Sequence, residues 1–173
     1  MVKYNNHREL VLSEFKDMID KKIDIKTSLL DVGSNDGYFA EPLAALGWKY
    51  IGLDADPKTD LGIKADMHNI PLSDNTIQVV FCSHTFEHSD KPVRLLQEFY
   101  RVLKGGGILF MVTPYPCDRQ IFQMDKTHWF VLSDKQLGRL LYKTGFVPVD
   151  IHVNKNESED PADWHVVCVA NVM

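Results

Sequence analysis

The chain has 173 residues, 45% of them hydrophobic and 25% charged, with a formal net charge of -5. That length suits one domain (residues 1–173) with a substantial core, and the composition is that of an ordinary globular protein. The negative charge argues against general affinity for nucleic acid or for an anionic membrane, although a local basic patch is compatible with it.

In chain order, Leu10, Val11, Phe15, Met18 and Ile19 recur at helical spacing, which predicts an amphipathic helix over 5–22 within a leading segment, 1–27. Leu29–Val32 reads as a short buried strand, followed by a helix over Tyr38–Leu46 that Gly47 closes. Strands are expected at Lys49–Asp54, Ile63–Asp66 and, with strong β-branched and aromatic enrichment, Ile77–Ser83. Val93–Leu103 should be helical, started at Lys91-Pro92 and stopped by a turn at Gly105–Gly107, before a buried strand at Gly107–Thr113. The stretch 114–132 has the composition of a long irregular loop, and loops of that length often carry function. Ser133 is placed to cap a helix over Asp134–Lys143, and Phe146–Val153 and Trp164–Ala170 read as strands able to form an antiparallel hairpin at a sheet edge.

Strands that alternate with helices imply an α/β fold with a mostly parallel sheet covered on both faces. Ligands bind such sheets beyond the carboxyl ends of the strands. The polar clusters at Asp31–Gly33, Asp54, Asp66 and Ser83-His84 should all line that edge. Gly33-Ser34-Asn35-Asp36-Gly37 is a glycine turn of the kind that lets backbone N–H groups approach a ligand, but it lacks the middle glycine of the dinucleotide G-x-G-x-x-G pattern. A carboxylate at Asp31 disfavours a pyrophosphate and suits a ligand carrying positive charge. Cys82, Cys117 and Cys168 form no CxxC pair and read as free thiols in a reducing compartment. The N-terminal sequence holds no run long enough for a signal peptide or membrane span, so a cytoplasmic protein is expected.

The runs DVGSNDG, IGLDAD, KADMHNIPLSDNTIQVVFCSHTFEH and EFYRVLKGGGILFMVTP together resemble the successive motifs of small class I S-adenosylmethionine-dependent methyltransferases. The resemblance extends from roughly Leu29 to Asp150 and implies a Rossmann-like doubly wound sheet with an antiparallel strand near the C-terminus. It implies S-adenosylmethionine as cofactor, with Asp31, Gly33 and Gly37 around the methionine moiety, Asp54 on the ribose hydroxyls, and Asp66 with Met67 at the adenine. Ser34 and Ala55 complete the cofactor-binding set, while Ser83 and His84 would touch its amino-acid end and floor the methyl-transfer site. Asn35, Gln78 and Gly105 depart from the family pattern without removing a cofactor contact.

The 114–132 segment would then shape the acceptor site, with Tyr115, Arg119, His128 and Trp129 lining it and His88 as a pocket wall. The alternative is a surface cover whose aromatics pack on the sheet. His84, His88 and His128 are candidate general bases for a hydroxyl acceptor, with His84 and His128 taken as the catalytic pair. Tyr4, His7 and Arg8 could close over the cofactor or simply solvate a helix end. Asp54, read alone, could be a carboxylate capping the turn before Pro57. His84-Thr85-Phe86-Glu87-His88 matches H-x-x-E-H, but zinc hydrolysis needs both histidines on one helix face and a third ligand, and no third-ligand motif follows. No metal is expected on that basis. The predicted activity is methyl transfer to a small or sugar-like acceptor at oxygen, with no membrane or nucleic-acid partner. A non-catalytic cofactor-binding scaffold is the competing class. A nicotinamide-dependent oxidoreductase is opposed by the missing glycine pattern.

Overall fold

The computed structural model describes residues 2–117, 126–155 and 164–172, with the side chains of 2–6 left aside. Its strands are β1 (Ser28–Val32), β2 (Lys49–Asp54), β3 (Gly62–Lys64), β4 (Ile77–Ser83), β5 (Leu103–Pro114), β6 (Phe146–Asn154) and β7 (His165–Val172). They form one sheet in the order β3-β2-β1-β4-β5-β7-β6. The pairings from β3 through β5 are parallel, and β7 runs antiparallel to both β5 and β6. The last two strands thus form the expected antiparallel pair at one edge of the sheet. β7 inserts between β5 and β6, and β6 becomes the edge strand.

The helices are α1 (Val2–Met18), α2 (Ala40–Ala45), α3 (Pro92–Val102) and α4 (Asp134–Lys143). Side chains alternate across each strand, and this divides the core in two. Leu29, Val79, Phe81, Phe110 and Val112 join Val11, Phe15 and Ile19 of α1 and Leu43 of α2 on one face. Leu30, Val32, Val80, Cys82, Leu109 and Met111 join Leu95, Leu96 and Phe99 of α3 and Leu137 and Leu141 of α4 on the other. Phe15 anchors α1 edge-to-face against Trp48, Phe81 and Phe110 at centroid distances of 6.0, 5.4 and 5.4 Å. Fully burying one such side chain contributes about 1.5–3 kcal/mol.

The bounds of β2 and β4 match the sequence pattern, and α4 opens with the capping box that Ser133 announces. Gln136 N donates to Ser133 Oγ at 3.3 Å, and Ser133 N donates to Gln136 Oε1 at 2.9 Å. Other bounds shift. α1 ends at Met18, with a separate 3-10 turn at Asp20–Lys22. Residues 38 and 39 sit in a turn ahead of α2. β3 stops at Lys64, whose partner is Asp54, so Asp66 lies past the strand. Gly105–Gly107 is not a turn between elements. The three glycines fall within β5, where Gly106 has φ +72° and the pairing with β4 slips between Ile77 and Val79. Among the described residues no helix is long and apolar enough to cross a membrane.

Candidate active site

The turn after β1 is held against β2. Gly33 N and Ser34 N both donate to Leu53 O, at 2.8 and 3.1 Å, and Gly37 N donates to Ser34 O at 2.7 Å. Gly33 and Gly37 adopt φ of +85° and +71°, and Asn35 takes +40°. Glycine relieves the left-handed strain at the first two, and asparagine tolerates it at the third. The Ser34 side chain is buried against β2 and β3. A Cβ on Gly52 would lie 2.9 Å from Ser34 Oγ, and one on Gly62 3.2 Å from it. Arg8 ties α1 to this turn through an ion pair with Asp36 (2.9 Å) and by lying over the Tyr38 ring.

Two carboxylates, Asp31 and Asp54, stand beside the turn, and a third, Asp66, lies beyond the end of β3. Asp31, on β1, is 2% exposed and accepts a hydrogen bond from Tyr50 Oη at 2.7 Å. Burial is the main reason its pKa is pushed up to about 7, opposed by the Tyr50 bond and reinforced by Asp54 and Asp36. The same surroundings push the Tyr50 phenol well above its ordinary range. Asp54, ending β2, accepts from Asn35 N at 3.0 Å and Asp56 N at 2.8 Å. It thus caps the local turn and also buttresses the glycine turn, and a carboxylate has about four acceptor positions, enough for further partners. Asp66 Oδ1 accepts from His68 N and from His68 Nδ1, both at 2.8 Å. The His68 backbone N–H leads the causes that hold the Asp66 carboxyl below its usual range. His68 Nε2 in turn meets the buried Ser89 Oγ at 2.7 Å. Met67 packs against the α3-side core, and Ala55 is exposed next to Asp54.

The turn after β4 carries the histidines. His84 takes φ +50° and its N–H donates to Val112 O at 2.9 Å. Its Nε2 lies 2.6 Å from His7 Nε2, and its Nδ1 lies 3.3 Å from Glu87 Oε1. His165, the first residue of β7, packs beside both, with ring centroids 4.1 Å from His7 and 5.0 Å from His84. Burial, then the neighbouring His84, lowers the pKa of His7 to about 3 and of His165 to about 2. Both imidazoles are therefore neutral at pH 7. Glu87 is 1% exposed, and neither carboxylate oxygen has a hydrogen-bond partner among the described residues.

The two candidate bases fall in separate groups. His84 joins His7 and His165, whereas His128 joins His88 (ring centroids 4.8 Å) and Glu87. Glu87 borders both. His88 Nδ1 donates to Thr127 O at 3.2 Å, and Trp129 N donates to Glu87 O at 2.8 Å, so the segment after residue 126 is pinned to the β4 turn. The Trp129 ring is 68% exposed. Tyr115 pairs instead with Trp164, through Tyr115 N to Trp164 O at 3.0 Å and a ring distance of 5.4 Å. Ser83 is half-buried at the end of β4, where its carbonyl accepts from Thr85 Oγ1 at 3.1 Å. Arg119 lies outside the described residues, and the side chain of Tyr4 is likewise not described. Sequence reasoning missed His165, Glu87 as a buried acid, and Tyr50. The alternation of β2 could have placed Tyr50 beside Asp31. No local signal marks His165, because only the pairing of β7 with β5 brings it to this edge.

A sheet of this order with β7 reversed, with a glycine turn after β1 and acidic residues at the ends of β1 and β2 and beyond β3, is the fold of class I S-adenosylmethionine-dependent methyltransferases. Residues 30–111 match the family model described as Methyltransferase domain. An uncharacterized methyltransferase of Mycobacterium leprae (strain Br4923) is 34% identical over 95 residues, 48% of this chain and 35% of that protein. The chain thus matches about a third of the length of such curated relatives. Among solved structures, a SAM-dependent methyltransferase from Archaeoglobus fulgidus superposes with a TM-score of 0.73 at 21% identity, covering 95% of this chain and 94% of that one. The 1,6-didemethyltoxoflavin-N1-methyltransferase of Burkholderia thailandensis, solved with 1,6-didemethyltoxoflavin and S-adenosylhomocysteine, gives 0.75 at 11% identity over 94% and 78%. At such identities the shared property is the fold.

Proposed function

We propose that the protein transfers a methyl group from S-adenosylmethionine to an oxygen of a small or sugar-like acceptor. The observation that carries this reading is the left-handed Gly33–Gly37 turn with Asp31 and Asp54 beside it and Asp66 beyond the neighbouring β3. Each carboxylate suits one part of the cofactor: a cationic amino group at Asp31, two ribose hydroxyls at Asp54, and the adenine amino group at Asp66. The backbone of Gly33, Ser34 and Gly37 with Ala55 and Met67 completes the cofactor bed, and Ser83 and His84 border the methyl group.

The sulfonium methyl is itself a strong electrophile, so the protein's task is alignment of acceptor, carbon and sulfur. The acceptor oxygen forms a bond to the methyl carbon as the carbon–sulfur bond breaks, and its electron pair passes to sulfur to give S-adenosylhomocysteine. The hydroxyl proton goes to a nearby imidazole, for which His84 and His128 are the candidates. His88, Tyr115, Arg119 and Trp129 would frame the acceptor. Calorimetry should detect binding of S-adenosylhomocysteine but not NAD(P). Transfer of labelled methyl to a panel of hydroxylated small molecules and sugars should yield a methyl ether. Failure to bind either the cofactor or its demethylated product overturns the reading, and a labelled amine or carbon product overturns oxygen as the acceptor atom.

A further inference from the structure

We infer that His7, His84 and His165 form a zinc site, three imidazoles with a fourth position left open to water or to an oxygen-bearing ligand. The inference rests on the geometry of these residues; it would leave His128 as the base of the methyl-transfer reading, since zinc on His84 Nε2 leaves that ring no free lone pair. The three come from α1, the end of β4 and the start of β7, and one ring nitrogen from each lies within 4.8 Å of the other two. Tetrahedral zinc at about 2.0–2.1 Å from each nitrogen would set them about 3.3 Å apart. His7 Nε2 and His84 Nε2, at 2.6 Å, would spread slightly, and the third nitrogen would draw in. In the metal-free arrangement a single proton must bridge His7 and His84, and it occupies the position that a cation would take.

Two further features fit a metal rather than a plain packing cluster. His84 is held in a left-handed backbone conformation that a non-glycine residue rarely adopts, and such strain concentrates at functional positions. Glu87 lies behind His84, its Oε1 3.3 Å from Nδ1 with no hydrogen bond formed, where the carboxylate of a carboxylate–histidine–zinc site would stand. Both oxygens of this buried carboxylate lack hydrogen bonds among the described residues, an arrangement that is costly unless a positive charge is near. A cation on His84 Nε2 would make the Nδ1–H a stronger donor and supply that charge.

The H-x-x-E-H motif is thereby read differently from a zincin. His84 and His88 do not share a metal; Glu87 supports His84 from behind, and the missing third ligand is His165, far away in sequence. Glu87, His88 and His128 form a second group with one potential ligand atom each within 4.8 Å, and this is the competing assignment.

The test uses the full, untagged chain, stripped with a chelator and titrated with zinc against a chromophoric competitor, and with cobalt for its visible spectrum. One zinc per chain and a tetrahedral cobalt spectrum are expected. His7→Gln and His165→Gln, made separately so that one folding failure is not decisive, should each weaken zinc binding by about 100-fold or more. Glu87→Gln should weaken it by about 10–100-fold, the usual effect of losing an outer-shell partner. Zinc affinity unchanged in both histidine variants overturns the site, as does its loss in a His88→Ala/His128→Ala protein that keeps the native circular dichroism. S-adenosylhomocysteine binding, measured on the same wild-type sample, separates the two readings. Cofactor product bound without zinc removes the metal site alone, and zinc bound without cofactor product removes the methyltransferase reading alone.

Discussion

Thr85 occupies the space that a side chain at Gly33 would need. A Cβ on Gly33 would stand 1.9 Å from Thr85 Oγ1 and 2.7 Å from its Cγ2. The two turns that follow β1 and β4 are therefore packed directly on one another, and the bare glycine is what permits it. Gly33→Ala should lower stability by about 1–3 kcal/mol through its left-handed backbone alone, with the overlap adding to that. Adding Thr85→Ala should restore the part of the overlap due to Oγ1 and Cγ2, while the Thr85 Cβ at 2.8 Å and the part due to φ remain. Urea unfolding of the two single variants and the double variant measures the coupling. A Gly33→Ala protein as stable as the wild type would contradict the packing described.

Asp31 makes stability depend on pH and, if the proposed function holds, cofactor binding as well. Its carboxyl is raised from 3.8 in the unfolded chain to about 7 in the folded one. The contribution to stability is complete below about pH 4 and is lost as pH rises through 7, at up to about 1.4 kcal/mol per unit. His7 and His165 act in the opposite direction, because their lowered pKa values favour the folded state above pH 6.5 and cost stability as the solution is acidified. The Asp31 slope is thus to be read as the difference between wild type and Asp31→Asn. A cationic amino group needs the ionised carboxylate, so affinity for S-adenosylhomocysteine should rise with pH up to about 7. It should fall again at alkaline pH, once the ligand's own amino group loses its proton. Affinity that is flat across this range would show that Asp31 does not meet the amino group.

In the proposed function Asp54 offers its spare acceptor positions to the ribose. Two charge-assisted hydrogen bonds contribute about 1.5–3 kcal/mol each, so Asp54→Ala should weaken S-adenosylhomocysteine binding by about 100-fold or more. It also orphans the N–H groups of Asn35 and Asp56, both near the surface, so the loss of stability should be small beside the loss of affinity. Calorimetry and thermal melting on the same sample distinguish the two. A large drop in melting temperature with affinity intact would make Asp54 only a turn cap.

The parts legible from sequence are those written locally. The apolar, β-branched run Ile77–Ser83 can hardly be anything but a buried strand, and Ser133 with Gln136 spells out a capping box. The carboxylates at strand ends were legible because a strand's end is a local property, and the sheet then aligned them. What was hidden is long-range. Nothing in Phe146–Asn154 says that β7 will slide between it and β5, and hence nothing marks His165 as a neighbour of His7 and His84. Gly105–Gly107 misled for a related reason: three glycines resemble a turn, yet Leu103 already pairs with Ile77, so the chain enters the strand before them.

Glu98 braces the turn beside which the proposed function sets the adenine. It is 2% exposed, and its Oε2 accepts from Ile70 N at 2.9 Å and from Arg101 Nη2 at 2.8 Å. Arg101 reaches on to the carbonyls of Ile70 and Leu72, both at 2.8 Å. The Arg101 hydrogen bond is the leading reason that the Glu98 carboxyl sits below its usual range. Together the pair fixes the turn that follows Asp66 and Met67. Removing one partner of a buried pair costs about 3–5 kcal/mol, and because Arg101 retains some solvent access Glu98→Ala should fall at the lower end, near 3 kcal/mol. The loosened turn should weaken S-adenosylhomocysteine binding by less than Asp54→Ala does, since no direct contact is lost. The Glu98 contribution belongs to the ionised acid and fades as pH falls below the ordinary glutamate range, so the stability gap between Glu98→Gln and wild type should narrow in acid. A gap that stays constant to low pH would mean that shape, rather than charge, is what Glu98 supplies.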